Sequence, residues 1–263
     1  MNIFNAGKYS LKLNKTLVMG ILNVTPDSFS DGGLYNECEK AVERAFEIQK
    51  LGADILDIGA QSTRPGFTKI SPDEEWKRLF PVLQKIKDKL NIPISIDTFY
   101  PEVAEKSLEF GASIINDVCG FENEKMFEIA SKSDCGVVIM RNGSNMKIKN
   151  FFESKLEIAK KYNIDEKRIC FDPGVGFTET REQDLFIINN IEKFKIKKIP
   201  ILVGLSRKRV VSQYCESKDN YSKLSGTIAL NAIAIERGAN IIRVHDVKEG
   251  VVTARAVDDV IKF

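Results

Sequence analysis

Short apolar runs alternate along this chain with longer stretches in which apolar residues recur every three or four positions, the two periodicities of buried strands and amphipathic helices. Leu17 to Leu22 has the composition of a buried strand. Pro26 with Gly32 and Gly33 forbids a longer strand or an immediate helix, so Asn23 to Gly33 reads as a strand end followed by a loop. Within that loop Phe29 is an apolar ring among polar residues, placed for a ligand. Cys38 to Leu51 sets Ala41, Val42, Ala45, Ile48 and Leu51 on one helical face and stops at Gly52. A second strand, Ala53 to Gly59, follows at once. Ser71-Pro72-Asp73-Glu74 reads as a capping box with proline at the first helical position, opening a helix to Leu90 ahead of a third strand, Ile92 to Asp97.

The alternation continues through helix Pro101 to Phe110, strand Ser113 to Val118, helix Glu124 to Ser133, strand Gly136 to Met140, helix Phe151 to Tyr162 and strand Arg168 to Asp172. Helix Arg181 to Phe194, strand Pro200 to Leu205, helical stretches within Arg207 to Arg237, strand Asn240 to Val244 and helix Lys248 to Ile261 complete it. Eight strand-then-helix units with continuous apolar strands predict an α/β protein, its parallel sheet closed into a (β/α)8 TIM barrel that forms one domain over residues 1–263. Tyr9 to Asn14 alternates apolar and polar residues and predicts a short N-terminal β-hairpin.

A phrase repeated at three helix ends strengthens the barrel. Gly52-Ala53-Asp54-Ile55-Leu56-Asp57, Gly111-Ala112-Ser113-Ile114-Ile115-Asn116 and Gly238-Ala239-Asn240-Ile241-Ile242-Arg243 each run from a glycine stop through two aliphatics to a polar residue. Asp57, Asn116 and Arg243 thereby take equivalent places near strand C-termini, the end where barrel active sites lie.

Charge and cysteine content exclude several classes. Lysine plus arginine number 39 against 37 aspartate plus glutamate, so no basic field argues for nucleic acid or a membrane surface, and an anion site must be local. The five cysteines, Cys38, Cys119, Cys135, Cys170 and Cys215, are scattered without C-x-x-C spacing, as expected of reduced thiols in a cytoplasmic protein. Neither a signal-peptide h-region nor a run of 18 apolar residues is present.

The polar residues at strand ends sort into two chemistries. Asp97, Asn116, Asp172 and Lys208 offer the donors and acceptors that suit a flat heterocycle with amino and carbonyl edges, whereas Asn23, Arg64, Arg243 and His245 form an anion end. Helix N-caps or structural ion pairs are the competing assignments, for Asp97 because it stands just before Tyr100-Pro101. For Asp57, a partner of Arg64 or of a loop residue is equally open.

Seven motifs in order resemble the dihydropteroate synthase family over essentially the whole chain. They are residues 21–33 (Ile-Leu-Asn-Val-Thr-Pro-Asp-Ser-Phe-Ser-Asp-Gly-Gly), Asp57-Ile58-Gly59 with Ser62-Thr63-Arg64-Pro65-Gly66, Ile96-Asp97-Thr98, Ile115-Asn116-Asp117, Asp172-Pro173-Gly174-Val175-Gly176-Phe177, Gly204-Leu205-Ser206-Arg207-Lys208, and Arg243-Val244-His245-Asp246-Val247. The resemblance implies condensation of 6-hydroxymethyl-7,8-dihydropterin diphosphate with 4-aminobenzoate, with Mg2+ as cofactor. It implies pterin contacts from Asp97, Asn116, Met140, Asp172 and Lys208, and diphosphate contacts from Asn23, Arg64, Arg243 and His245, Asn23 also binding the metal. The 4-aminobenzoate pocket falls to Phe29, Thr63, Pro65, Phe177, Ser206 and Arg207, its carboxylate meeting a helix N-terminus at Ser206-Arg207. Asp97, Lys208, Arg243 and His245 take the catalytic roles, and a homodimer is expected.

Three departures accompany the resemblance. Ala60 stands where the family usually has glycine and Gln61 where it commonly has glutamate. After the fifth strand, Met140 survives in Ile139-Met140-Arg141-Asn142-Gly143, but the family's nearby histidine does not. A pterin-binding domain of a corrinoid-dependent methyltransferase would share the barrel without needing an aminobenzoate pocket, and a silent pterin-binding protein would be expected to lose the diphosphate residues.

Overall fold

The computed structural model describes residues 2–25, 33–61, 68–143, 147–212 and 220–263. A two-stranded antiparallel hairpin, β1 (Ile3–Ala6) with β2 (Tyr9–Lys12), precedes eight parallel strands, so both the barrel and the hairpin expected from the sequence are present. The strands are β3 (Leu17–Asn23), β4 (Ile55–Gly59), β5 (Ile94–Asp97), β6 (Ile114–Asp117), β7 (Gly136–Met140), β8 (Ile169–Asp172), β9 (Leu202–Val203) and β10 (Ile241–Val244). They lie in the order β8-β7-β6-β5-β4-β3-β10-β9, and a bridge from Phe171 to Ile201 closes the ring.

The helices α1 (Gly33–Lys50), α2 (Pro72–Ile86), α3 (Pro101–Glu109), α4 (Lys125–Ser131) and α5 (Ile148–Lys161) cover the first part of the barrel. The helices α6 (Arg181–Asn189), α7 (Ile191–Phe194), α8 (Arg209–Ser212), α9 (Asn220–Glu236) and α10 (Val247–Ile261) cover the rest. The sixth helix expected from the sequence is interrupted at Asn190, whose backbone leaves the helical region at φ −127°. The seventh barrel strand is shorter than its apolar run, because only Leu202 and Val203 pair in register with β10. Among the described residues no helix is long and apolar enough to cross a membrane.

The repeated glycine phrase is a helix stop built three times. Gly52, Gly111 and Gly238 take φ of +95°, +96° and +99°, and the alanine after each donates its N–H five residues back, to Ile48, Ser107 and Ala234. Each stop turns the chain straight into the next strand, which is why the polar residue closing the phrase reaches the same level of the barrel.

Side chains alternate along a strand, so two shells of core form. Outward aliphatics pack beneath the helices, in one cluster around α1, α2 and α10 and another around α4, α5 and α6. Inward residues Leu17, Met19, Ile55, Ile114, Val138, Cys170, Leu202 and Ile241 fill the lower interior, plugged from below by Phe4 and Ala6 of the hairpin. A β-carbon at residue 111 would meet only a lysine methylene at 3.4 Å, so the cost of Gly111→Ala is conformational. It should destabilise the fold by about 1–3 kcal/mol, read as a lower urea midpoint at unchanged m-value.

Candidate active site

Two residues beyond the apolar floor, the same inward face turns polar. Ile55 gives way to Asp57, Ile114 to Asn116, Cys170 to Asp172 and Ile241 to Arg243, at the C-terminal ends of β4, β6, β8 and β10; on β5 the small Ser95 precedes Asp97, and on β7 the apolar Met140 follows Val138. The register that pairs Asp97 with Asn116 and Met140 with Asp172 brings them round one mouth.

Arg243 is the centre of this ring. Its Nε donates to Asp57 Oδ2 at 2.6 Å and its Nη2 to Asp97 Oδ2 at 2.7 Å, while Asn116 Nδ2 lies 3.3 Å from both oxygens of Asp57. Asp57 and Asp97 are buried. Burial opposes charge on Arg243, but Asp57 and Asp97 outweigh it and hold the guanidinium above its ordinary value. Burial pushes the Asp97 carboxyl up to about 7 against the pull of Arg243. Its second oxygen, Oδ1, is buried with no hydrogen-bond partner among the described residues. A buried acceptor of this kind suits a ligand's donor edge.

Across the mouth stand Asp172 and Lys208. Asp172 Oδ1 accepts from the N–H of Gly174 at 2.8 Å; Lys208 Nζ donates to the carbonyl of Val175 at 2.7 Å and lies 4.4 Å from the centre of the Phe177 ring. Burial raises Asp172, with Lys208 opposing, and lowers Lys208 to about 8, with Asp172 opposing, so desolvation drives both toward their neutral forms. Gly204 separates the two groups: a β-carbon there would lie 3.8 Å from both Arg243 Cδ and Lys208 Nζ. Gly204 thus lies between Arg243 and Lys208 at the barrel mouth.

The remaining assignments divide. Asn23 ends β3, its Oδ1 and Asp97 Oδ2 each 3.8 Å from where a β-carbon on Gly59 would stand. Ser206 Oγ lies 3.1 Å from His245 Nδ1 and accepts from the His245 N–H at 3.3 Å. Phe29, Thr63, Arg64 and Pro65, like Cys215, lie outside the described residues. Asp97 is no helix cap, since Tyr100 caps α3 without a side-chain bond.

The helix N-terminus expected at Ser206-Arg207 is corrected. Arg207 adopts φ +58°, so α8 starts only at Arg209; the Arg207 N–H donates to Thr227 Oγ1 at 3.2 Å and its Nε to Asp246 Oδ2 at 3.0 Å. Gln61, the departure at the second motif, has a structural task. Its Nε2 donates to the buried Glu75 Oε2 at 2.8 Å and its Oε1 accepts from the Ile70 N–H at 3.2 Å.

Sequence reasoning left the partner of Asp57 open and gave Asp57 no site role. The signal was the repeat that aligns it with Asn116 and Arg243, the two residues it touches. Asp57→Ala should cost about 3–5 kcal/mol in urea unfolding, because it leaves a buried guanidinium short of a partner. A loss below about 1 kcal/mol, the range of exposed pairs, would show that this ion pair is not the hub of the ring.

A family model described as "Pterin binding enzyme" matches residues 19–245. Dihydropteroate synthase of Clostridium beijerinckii is 40% identical over 268 residues, spanning 98% of this chain and 97% of that protein. The crystal structure of dihydropteroate synthase from Clostridium difficile in the presence of pteroic acid is 41% identical with a TM-score of 0.89, over 98% of both chains. That of the Xanthomonas albilineans enzyme with 4-aminobenzoic acid is 32% identical with a TM-score of 0.92, over 99% of this chain and 98% of that one. Matched along nearly its whole length, with Asp57, Asp97, Asn116, Asp172 and Arg243 of its motifs at the strand ends of one barrel mouth, the chain belongs to the dihydropteroate synthase family of pterin-binding enzymes.

Proposed function

We propose that the protein is a dihydropteroate synthase, joining 6-hydroxymethyl-7,8-dihydropterin diphosphate to 4-aminobenzoate to give 7,8-dihydropteroate and diphosphate. The observation that carries this reading is the polar ring at the barrel mouth, in which the buried Asp97, Asn116 and Asp172 stand at strand ends with the partly buried Lys208 across from Arg243. A pterin presents amino and ring N–H donors beside carbonyl and ring nitrogen acceptors, the complement of that set. Met140, buried beside Asp172, supports a ring face with a polarisable thioether.

Bond breaking is placed at the pterin methylene, with the diphosphate leaving as positive charge develops on the ring. Asp97, held by Arg243 through one oxygen, offers the other to that charge. The arylamine nitrogen is neutral at physiological pH and attacks without a strong base. His245 and Arg64 hold the diphosphate; Arg243 adds positive charge beneath it, already shared with two carboxylates. Phe29, Thr63, Pro65, Phe177, Ser206 and Arg207 are assigned to 4-aminobenzoate, Ser206 supplying a hydroxyl near its carboxylate.

Asn23 offers one neutral oxygen beside the anion end, and among the described residues no three Asp, Glu, His or Cys side chains converge on a metal-sized space. That donor set fits magnesium carried in by the diphosphate and keeping its waters. Bound there, Mg2+ would stabilise charge on the leaving group. Exposed Phe186 on α6 with Tyr221 and Ile233 on α9 support a homodimer, and the unpaired thiols of Cys38, Cys119, Cys135 and Cys170 support a cytoplasmic location.

Incubation with the pterin diphosphate, magnesium and 4-aminobenzoate should yield 7,8-dihydropteroate, and Asp172→Ala should weaken pterin binding at least about tenfold by calorimetry. A folded protein that binds pterin yet forms no product would overturn the enzymatic reading.

The lowered value of Lys208, about 8, fixes the sign of a pH effect: its ammonium is present below that pH and lost above it. Turnover should therefore fall as pH rises through about 8, and Lys208→Arg, which stays charged, should shift the fall upward. An alkaline limb unchanged in Lys208→Arg would belong to another group.

A further inference from the structure

A buried carboxylate that the mechanism does not use fastens the loop between β8 and α6. Asp184, in the first turn of α6, has no exposed surface. The Gly176 N–H donates to its Oδ1 at 2.7 Å, the Thr178 hydroxyl lies 2.6 Å from the same oxygen, and Arg209 Nη2 donates to its Oδ2 at 3.1 Å. Arg209, at the start of α8, also donates to the carbonyl oxygens of Thr178 at 3.1 Å and Glu179 at 3.3 Å. One carboxylate and one guanidinium thus bind α6, α8 and the intervening loop into a single unit.

That unit is a wall of the active site. Lys208, next to Arg209 in the chain, donates to the Val175 carbonyl, lies over the Phe177 ring, and passes so close to Gly176 that a β-carbon there would stand 2.4 Å from its Cδ. Residues 175–177 therefore set the path of the lysine, and Asp184 holds the middle one by its N–H. Arg207, Lys208 and Arg209 have separate tasks: the first pairs with Asp246, the second reaches the site, and the third ties to Asp184.

We propose that Asp184 and Arg209 are positioning residues for the arylamine side of the reaction, holding Lys208 and Phe177 face to face. The proposal rests on the assignment of Phe177 to 4-aminobenzoate, with Lys208, assigned to the pterin, bordering the same space through its place over the Phe177 ring. A displacement near 1 Å at such a wall is enough to change rates by about a hundredfold, without loss of the fold. Arg209, with 47% of its side chain exposed, can be truncated without opening a cavity in the core.

Steady-state kinetics on the full chain test this, with Arg209→Ala, Arg209→Lys, Asp184→Asn and Lys208→Ala assayed beside their melting temperatures. Arg209→Ala and Asp184→Asn should each raise the KM for 4-aminobenzoate about tenfold and that for the pterin diphosphate by clearly less, since Phe177 borders the first substrate alone and Lys208 borders both. Arg209→Lys should recover part of the loss, because an ammonium reaches the carboxylate but not both carbonyls as well. The double variant should be no worse than the poorer single one, as for two residues acting as one pair. Unchanged KM values in both single variants, with only the melting temperature lowered, would make the pair scaffold alone and overturn the proposal. Lys208→Ala separates the underlying reading: if it leaves the 4-aminobenzoate KM unchanged, the pocket assignment falls and the proposal with it. If Lys208→Ala raises that KM while the other variants do not, the positioning claim alone falls.

Discussion

The guanidinium of Arg243, largely buried and clamped between the carboxylates of Asp57 and Asp97, is the interaction on which the rest of the site depends. A permanent charge inside a protein is tolerated only when carboxylates and hydrogen bonds replace the water it has lost. Arg243 obtains them from residues 186 and 146 positions away in sequence. The pairing of the last barrel strand with the first makes that possible, because β10 reaches β4 and β5 through β3. Loosening any of these strands exposes a charge whose partners are fixed elsewhere, so the ion cluster and the barrel require each other.

That cluster also decides which polar atoms remain for a ligand. Asp57 spends its oxygens on Arg243 and Asn116, leaving Asp97 as the one of these two acids whose second buried oxygen has no partner among the described residues. On the opposite wall, burial drives Asp172 and Lys208 toward neutrality while their mutual attraction resists it. A substrate edge that donates to the acids and accepts from the lysine would stabilise the charged forms again, which couples recognition to electrostatics.

Stability and chemistry are separated along one direction, the barrel axis. The lower interior is mostly apolar and closed by Phe4 and Ala6, so it holds the strands together with few polar atoms to satisfy. The upper interior carries the buried acids Asp57, Asp97 and Asp172, resting on that floor. A two-residue step along each strand crosses from one regime to the other, the shortest step that keeps a side chain on the inner face.

Local order was legible without coordinates because its causes are local. Apolar runs, glycine stops and the Ser71 cap act over a few residues, and they placed Asp57, Asn116 and Arg243 at equivalent strand ends from the repeated phrase alone. The tertiary structure alone decided which of these residues touch. It gave Asp57 to Arg243, turned Arg207 toward Asp246 through a left-handed backbone, interrupted the sixth helix at Asn190, and joined Asp184 to Arg209. Each long-range pairing depends on strand register and on closure of the ring, which set distances between residues far apart in the chain and leave no periodic trace in the sequence between them.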